Sequence, residues 1–206
     1  MLKKYLDRDS FAALLFDFDG TLADTMGAHL EAWNQALRVH NLSLSREQHL
    51  AWAGRPTREI VKLLNELHLT NMTYEEIAKL KEAHYLDSLG EVKEIVPVAD
   101  IVRHYHGRIP MAVVTGSRRK WVEVTMKQLG LTKYFDALVC AEDYVNGKPA
   151  PDCFLKAAQL LKVPPENCLV FEDGELGIQG AKSAGMVCLR VTENSQAGHQ
   201  IGKVLW

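Results

Sequence analysis

Five apolar runs of strand length, the later ones spaced by stretches long enough for a helix, leave this chain few folds to adopt. They cover residues 12–16, 111–115, 137–140, 168–171 and 186–191, with β-branched or aromatic content. Crossover helices between such runs predict an α/β fold, a parallel sheet with helices on both faces. Stretches 123–129 and 154–161 fit the helical period, and each leads through a short loop to the next run.

The long interval between the first run and Met111 breaks this rhythm, because it holds helix signals and no convincing strand. Met26, Leu30, Trp33 and Leu37 step along one helical face. Ser45-Arg46-Glu47-Gln48 and Thr73-Tyr74-Glu75-Glu76 have the form of capping boxes. Thr57 is placed to cap a further helix carrying Ile60, Val61, Leu64 and Leu67. An all-helical insert of about four helices is therefore expected over 25–90, with 1–24 and 91–206 forming the core. The tail after Val191 is polar and weakly patterned, and Val204-Leu205-Trp206 is expected to dock back on the core.

Several function classes are disfavoured at once. A net charge of −2 makes no field that would gather nucleic acid or an anionic membrane. Arg118-Arg119-Lys120, the densest basic group, reads as a solvated helix start. No segment approaches the roughly 20 apolar residues of a membrane span. The opening Met1-Leu2-Lys3-Lys4 is charged, but Tyr5-Leu6-Asp7-Arg8-Asp9 interrupts any apolar signal region. Cys140, Cys153, Cys168 and Cys188 lie far apart, with no C-x-x-C pair, so neither zinc ligation nor a disulfide framework is indicated. They read as reduced, buried thiols of a cytoplasmic protein, taken as monomeric.

The apolar runs end in chemistry. The first closes on Asp17-Phe18-Asp19-Gly20-Thr21; residues at i and i+2 of a strand point the same way, so Asp17 and Asp19 can share a pocket while Phe18 faces away. Ending a buried strand in two charges is costly, and a cation shared by both would offset that cost. The second run ends in Thr115-Gly116-Ser117, a hydroxyl and free backbone N–H groups able to cradle a phosphate, although such a tripeptide is also a common turn. In Gly147-Lys148-Pro149-Ala150-Pro151-Asp152 the prolines hold Lys148 on an extended loop, from which it can deliver a fixed positive charge. The fourth run ends in Glu172-Asp173-Gly174; adjacent side chains diverge, so one can bind a metal while the other braces it. Open α/β sheets bind ligands at the carboxyl ends of their strands. Oxygen ligands without nearby His or Cys suit Mg²⁺, whereas a calcium loop would need further oxygen ligands and a glycine at its sixth position.

In this order the four pieces resemble the haloacid dehalogenase-like superfamily of aspartate-nucleophile phosphotransferases, over essentially the whole chain. The resemblance implies a Rossmann-like core and identifies the insert with a small helical cap. Asp24-Thr25, Ala28-His29-x-x-Ala32-Trp33, the Gly147–Asp152 loop and Gly177-Ile178-Gln179 are similar to the branch of β-phosphoglucomutases and small sugar-phosphate phosphatases, fructose-1-phosphate phosphatases being the nearest pattern. Asp17 would then be the nucleophile and Asp19 the general acid and base. Thr115, Gly116, Ser117 and Lys148 would bind phosphate. Asp17, Asp19 through its backbone carbonyl, Glu172 and Asp173 would hold Mg²⁺. The substrate would be a small phosphorylated sugar.

Two departures from that pattern stand out. Gly174 replaces a serine common after Glu-Asp. In Trp52-Ala53-Gly54-Arg55-Pro56-Thr57-Arg58 a lysine usual in the mutases is missing and the arginine is shifted, which weakens the mutase reading. Arg55 and Arg58 are candidates to grip substrate, or else surface ion-pair members. His29 is expected to touch substrate or control a proton, whereas Trp33 and Trp52 read as core. His104-x-His106, on a helical pattern, reads as ordinary surface histidines. The expected activity is a Mg²⁺-dependent phosphatase, with a phosphosugar mutase as the alternative. A dehalogenase is disfavoured by Asp19, Glu172 and Asp173, and a silent binding module by the completeness of the motifs.

Overall fold

A computed structural model of the chain describes residues 11–194 and 198–205. The expectations for residues 1–9 and for Trp206 fall outside the described residues, as do those for the side chains of Val204 and Leu205. The sheet is built from β1 (Ala13–Phe16), β2 (Met111–Val114), β3 (Ala137–Val139), β4 (Cys168–Glu172), β5 (Val187–Asn194) and β6 (Gly198–Leu205). Their order is β3-β2-β1-β4-β5-β6. The first five are parallel, with β1 between β2 and β4. Phe16 lies opposite both Val113 and Phe171, so the residues following β1, β2 and β4 emerge side by side.

Alternation along β1 sorts the core into two layers. Leu14 and Phe16 face α5 (Val96–Tyr105) and α6 (Arg119–Gln128), meeting Val98, Val102, Val122 and Met126. Ala13 and Leu15 face α7 (Asp152–Leu161) and α8 (Glu175–Ser183), meeting Phe154, Ala157, Ile178 and Ala181. Helices thus cover both faces, as the apolar runs require.

β6 is a strand that the polar, weakly patterned tail after Val191 did not announce. It runs antiparallel to β5 from Cys188↔Leu205 to Asn194↔Gly198, and it draws β5 three residues beyond the apolar run. An edge strand needs few apolar residues, since backbone pairing holds it; Ile201 packs on the core while Gln200 and Gly202 are exposed.

Between β1 and α5 stand α1 (Met26–Leu37), α2 (Arg46–Ala51), α3 (Thr57–His68) and α4 (Tyr74–Ser88), packed around Trp33, Leu37, Ile60, Leu64 and Ile77. Ser45 and Gln48 form a full capping box, whereas Thr73 only accepts from the Glu76 N–H. Thr57 is not a cap: it is the first residue of α3, and Pro56, extended, precedes it. Proline favours such a boundary because it has no N–H to contribute and its φ is fixed. The two crossings between this layer and the sheet are laced together. Asp24 N–H donates to the Lys93 carbonyl (2.9 Å), Ile95 N–H to Leu22 (2.8 Å), and Ala23 bridges Glu94.

Arg118 and Arg119 are more than a solvated helix start. Arg118 pairs with Glu82 of α4 and with Glu142, and Arg119 with Asp143. His104 and His106 are exposed and sit edge-on to Tyr105 and Tyr134. All four cysteines are buried and free, and burial pushes the Cys140 and Cys188 thiols up to about 12. No helix among the described residues is long and apolar enough to cross a membrane.

Candidate active site

Asp17, Asp19, Thr115, Ser117, Glu172 and Asp173 line one cavity where the helical layer closes on the carboxyl ends of β1, β2 and β4. Phe18 turns the other way, into the core. The Asp17 N–H continues the β1–β4 ladder by donating to the Phe171 carbonyl at 2.9 Å.

Lys148 lies under the floor of this cavity, fully buried. Its Nζ donates to Asp17 Oδ1 at 2.6 Å and to Glu172 Oε1 at 2.9 Å. The other Glu172 oxygen accepts the Asp173 N–H at 2.9 Å, and Asp173 Oδ1 accepts the Thr21 hydroxyl at 3.1 Å. Gly177 makes room for this arrangement, since a Cβ there would overlap the Glu172 carboxylate. Asp17, Glu172 and Asp173 each offer an oxygen within 4.8 Å of the others. Burial, then Glu172, raises Asp17 well above the usual carboxylate range, against the pull of Lys148. Burial also pushes Glu172 and Asp173 up to about 7, with repulsion from Asp173 and Asp17 respectively adding to it. Lys148 stays protonated despite burial because Asp17 and Glu172 flank it. One ammonium thus faces three acids, and the cluster is short of positive charge.

Asp19 has different company. Its Oδ1 accepts from Thr25 Oγ1 (2.8 Å) and His29 Nε2 (2.8 Å); its Oδ2 accepts from Thr115 Oγ1 (3.1 Å) and Ser117 Oγ (2.6 Å). Burial alone would raise this carboxyl, but His29, Ser117 and Thr25 outweigh it and hold it well below the usual range. The His29 ring stacks on Tyr85 at 4.4 Å, and its Nδ1 faces Lys81 Nζ at 3.4 Å. Burial and then Lys81 lower the His29 pKa from its ordinary value. Lys81 is itself pushed down to about 8 by burial, and its Nζ stands 5.3 Å over the Trp33 ring.

The arginines on the helical side part company. Arg55 lines the cavity and pairs with Glu59 (3.4 Å), whose other oxygen accepts the Gly147 N–H at 3.3 Å. Arg58 is exposed, does not line the cavity, and donates to the Val145 carbonyl at 2.7 Å. The seam between the layers is backbone on backbone at Gly116, where a Cβ would collide with the Gly54 carbonyl. Gly174 stands where a serine cap is usual and leaves that helix start without a side-chain cap.

Lys81, His49, Tyr85 and Glu59 belong to this site or its frame and were not singled out from the sequence, and Thr25 entered only as part of the Asp24-Thr25 resemblance. Lys81 carried one usable signal: Ile77, Lys81 and Tyr85 form a single row on α4, and the flanking two are buried. Trp33 is core as expected, yet it also lines the cavity, as does Trp52.

A family model described as haloacid dehalogenase-like hydrolase matches residues 14–191. Fructose-1-phosphate phosphatase YqaB of Escherichia coli is 40% identical over 178 residues, covering 86% of this chain and 95% of that protein. A phosphorylated carbohydrates phosphatase of Thermotoga maritima is 30% identical, over 84% of this chain and 82% of that protein. Among solved structures, a β-phosphoglucomutase from Clostridium difficile superposes with a TM-score of 0.79 at 24% identity, over 86% of this chain and 83% of that one, a likeness of fold.

Proposed function

The chain belongs to the haloacid dehalogenase-like hydrolase family and is a phosphatase; from that premise we propose that it hydrolyses small sugar phosphates such as fructose 1-phosphate, with Mg²⁺, through an aspartyl-phosphate on Asp17. The observation that carries this reading is the pairing of two differently tuned carboxylates, Asp17 and Asp19, in one cavity.

The donor set fits a hard divalent cation, being three crowded carboxylates with a deficit of positive charge. Asp17, Asp173 and the Asp19 backbone carbonyl would hold Mg²⁺, and Glu172, whose oxygens are taken by Lys148 and the Asp173 N–H, would brace them. When bound, the ion would neutralise repulsion between Asp17 and an anionic phosphate. Asp17 attacks phosphorus, and the bond from phosphorus to the sugar oxygen breaks. Thr115, Ser117 and the Gly116 backbone stabilise the phosphoryl oxygens, while Lys148, held beneath Asp17, offsets the charge of the nucleophile. Thr115 and Ser117 now donate to Asp19, so their turning to the phosphate frees Asp19 Oδ2 to hold a proton. That proton goes to the leaving sugar oxygen. Asp19 then takes one from the water that opens the aspartyl-phosphate and releases inorganic phosphate.

Mutase chemistry would return the phosphoryl group to a sugar hydroxyl. Ala53 stands before Gly54 where the mutase pattern has a lysine, and the 40% identical relative is named a phosphatase; both favour hydrolysis. Stoichiometric phosphate release from fructose 1-phosphate, with no isomeric sugar phosphate formed, is the expected result. Isomer interconversion would reverse the assignment.

Two further outcomes are expected. Mg²⁺ added to metal-stripped protein should raise Tm by several degrees at about pH 8 and by less at about pH 5.5. The sign follows from Glu172 and Asp173, whose folded values of about 7 exceed the roughly 4 of the unfolded chain. Stripped protein therefore loses stability as pH rises through about 4 to 7, and below 7 the ion must displace protons. A pH-independent shift in a thermal melt would argue against these ligands. Lys81 should draw the anionic substrate while protonated, so kcat/KM should fall as pH climbs through about 8. Lys81→Met should remove that limb and cost about 10- to 100-fold, the scale of one charge-assisted hydrogen bond. A wild-type profile flat across that range would contradict this role.

A further inference from the structure

Nine polar or charged residues are buried among the described ones: Asp17, Thr21, Thr25, His29, His49, Thr115, Thr125, Lys148 and Glu172. Eight of them make a side-chain hydrogen bond. His49 makes none among the described residues, although only 7% of it is exposed. It sits on α2 and lines the catalytic cavity together with Trp33 and Trp52. Its ring nitrogens are not among the sealed side-chain atoms that lack a partner, so they keep accessible surface, and a ring bordering a substrate cavity can meet a ligand there.

The position of the chemistry says which part of a substrate reaches it. The oxygen leaving phosphorus must lie against Asp19, which gives it a proton. The remainder of the leaving group therefore extends toward the helical side, where His29, Lys81 and His49 gather; the fields of His29, Lys81 and Asp19 all act on His49. Burial, then His29 and Lys81, hold its pKa down to about 4. At neutral pH the ring is uncharged, with one nitrogen donating and the other accepting, the complement of a hydroxyl. Trp52, partly exposed in the same cavity, offers the apolar face that sugar C–H groups favour.

We propose that His49 is a specificity-determining residue, hydrogen-bonding a hydroxyl of the sugar that leaves phosphorus. This rests on the phosphatase reading above and deepens it. An apolar leaving group leaves the ring unpartnered in the closed site, whereas a polyol satisfies it; sites built to bond a hydroxyl discriminate strongly against ligands lacking one.

The test compares kcat/KM for fructose 1-phosphate and glucose 6-phosphate with that for p-nitrophenyl phosphate, in wild type, His49→Phe and His49→Gln. Phenylalanine keeps a planar ring and removes both nitrogens, while glutamine restores a donor and an acceptor. The ratio of sugar phosphate to aryl phosphate should fall about 10- to 100-fold in His49→Phe, chiefly through KM, and recover in part in His49→Gln. An unchanged ratio in His49→Phe overturns the assignment to His49, including the case where both activities drop together, which is what a merely structural histidine would give. Wild type that cleaves p-nitrophenyl phosphate but neither sugar phosphate overturns the function proposed above and this inference with it.

Discussion

Asp17→Asn is expected to abolish phosphate release, by roughly 10⁴-fold or more, the scale seen when a covalent nucleophile is removed. The amide has the shape of the carboxylate and cannot form the acyl-phosphate. Lys148 would keep Glu172 as a partner at 2.9 Å, so the loop holding it should stay in place. Without metal the variant should also melt higher than wild type, because it removes one of three crowded acids facing a single ammonium. Activity lost together with a higher Tm in EDTA would separate a chemical role from a structural one. Measurable turnover in Asp17→Asn would place the nucleophile elsewhere.

The second large effect is on the fold. Lys148→Met is expected to be inactive and to lose about 3–5 kcal/mol of stability, because removing one partner strands buried charge. The deficit should shrink as pH falls through about 7, where Glu172 takes up a proton. Adding Glu172→Gln should restore part of the loss, a coupling that urea unfolding of the two single variants and the double variant would measure. Additive effects would mean that the 2.9 Å ion pair contributes little beyond its separate members.

The core and its catalytic edge were readable for a shared reason. A strand buried on both faces must be apolar throughout, so Ala13-Leu14-Leu15-Phe16 announces itself, and two acids directly after it have no structural use. Local rules served as well at Ser45, where cap and partner lie three residues apart. They failed where tertiary contact decides. β6 is an edge strand held by backbone pairing, which leaves little trace in side chains. Thr57 has the composition of a cap, but Pro56 sets the helix boundary and the threonine faces the cavity instead. Lys81 and His49 look like surface residues until two layers close over them. Arg58 matches the expectation for a substrate grip only in its charge; its reach to Val145 ties layer to layer.

The laced crossings at Ala23 and Glu94 have one more consequence. They set the pivot of any opening a few residues from Asp19. Thr25 stands at that pivot and His29 on the first helix beyond it, and both hold the same oxygen of Asp19. Any hinge at that place would act as a safety interlock. Were the helices to lift there, two of the four hydrogen bonds on the Asp19 carboxylate would part together as bulk water entered.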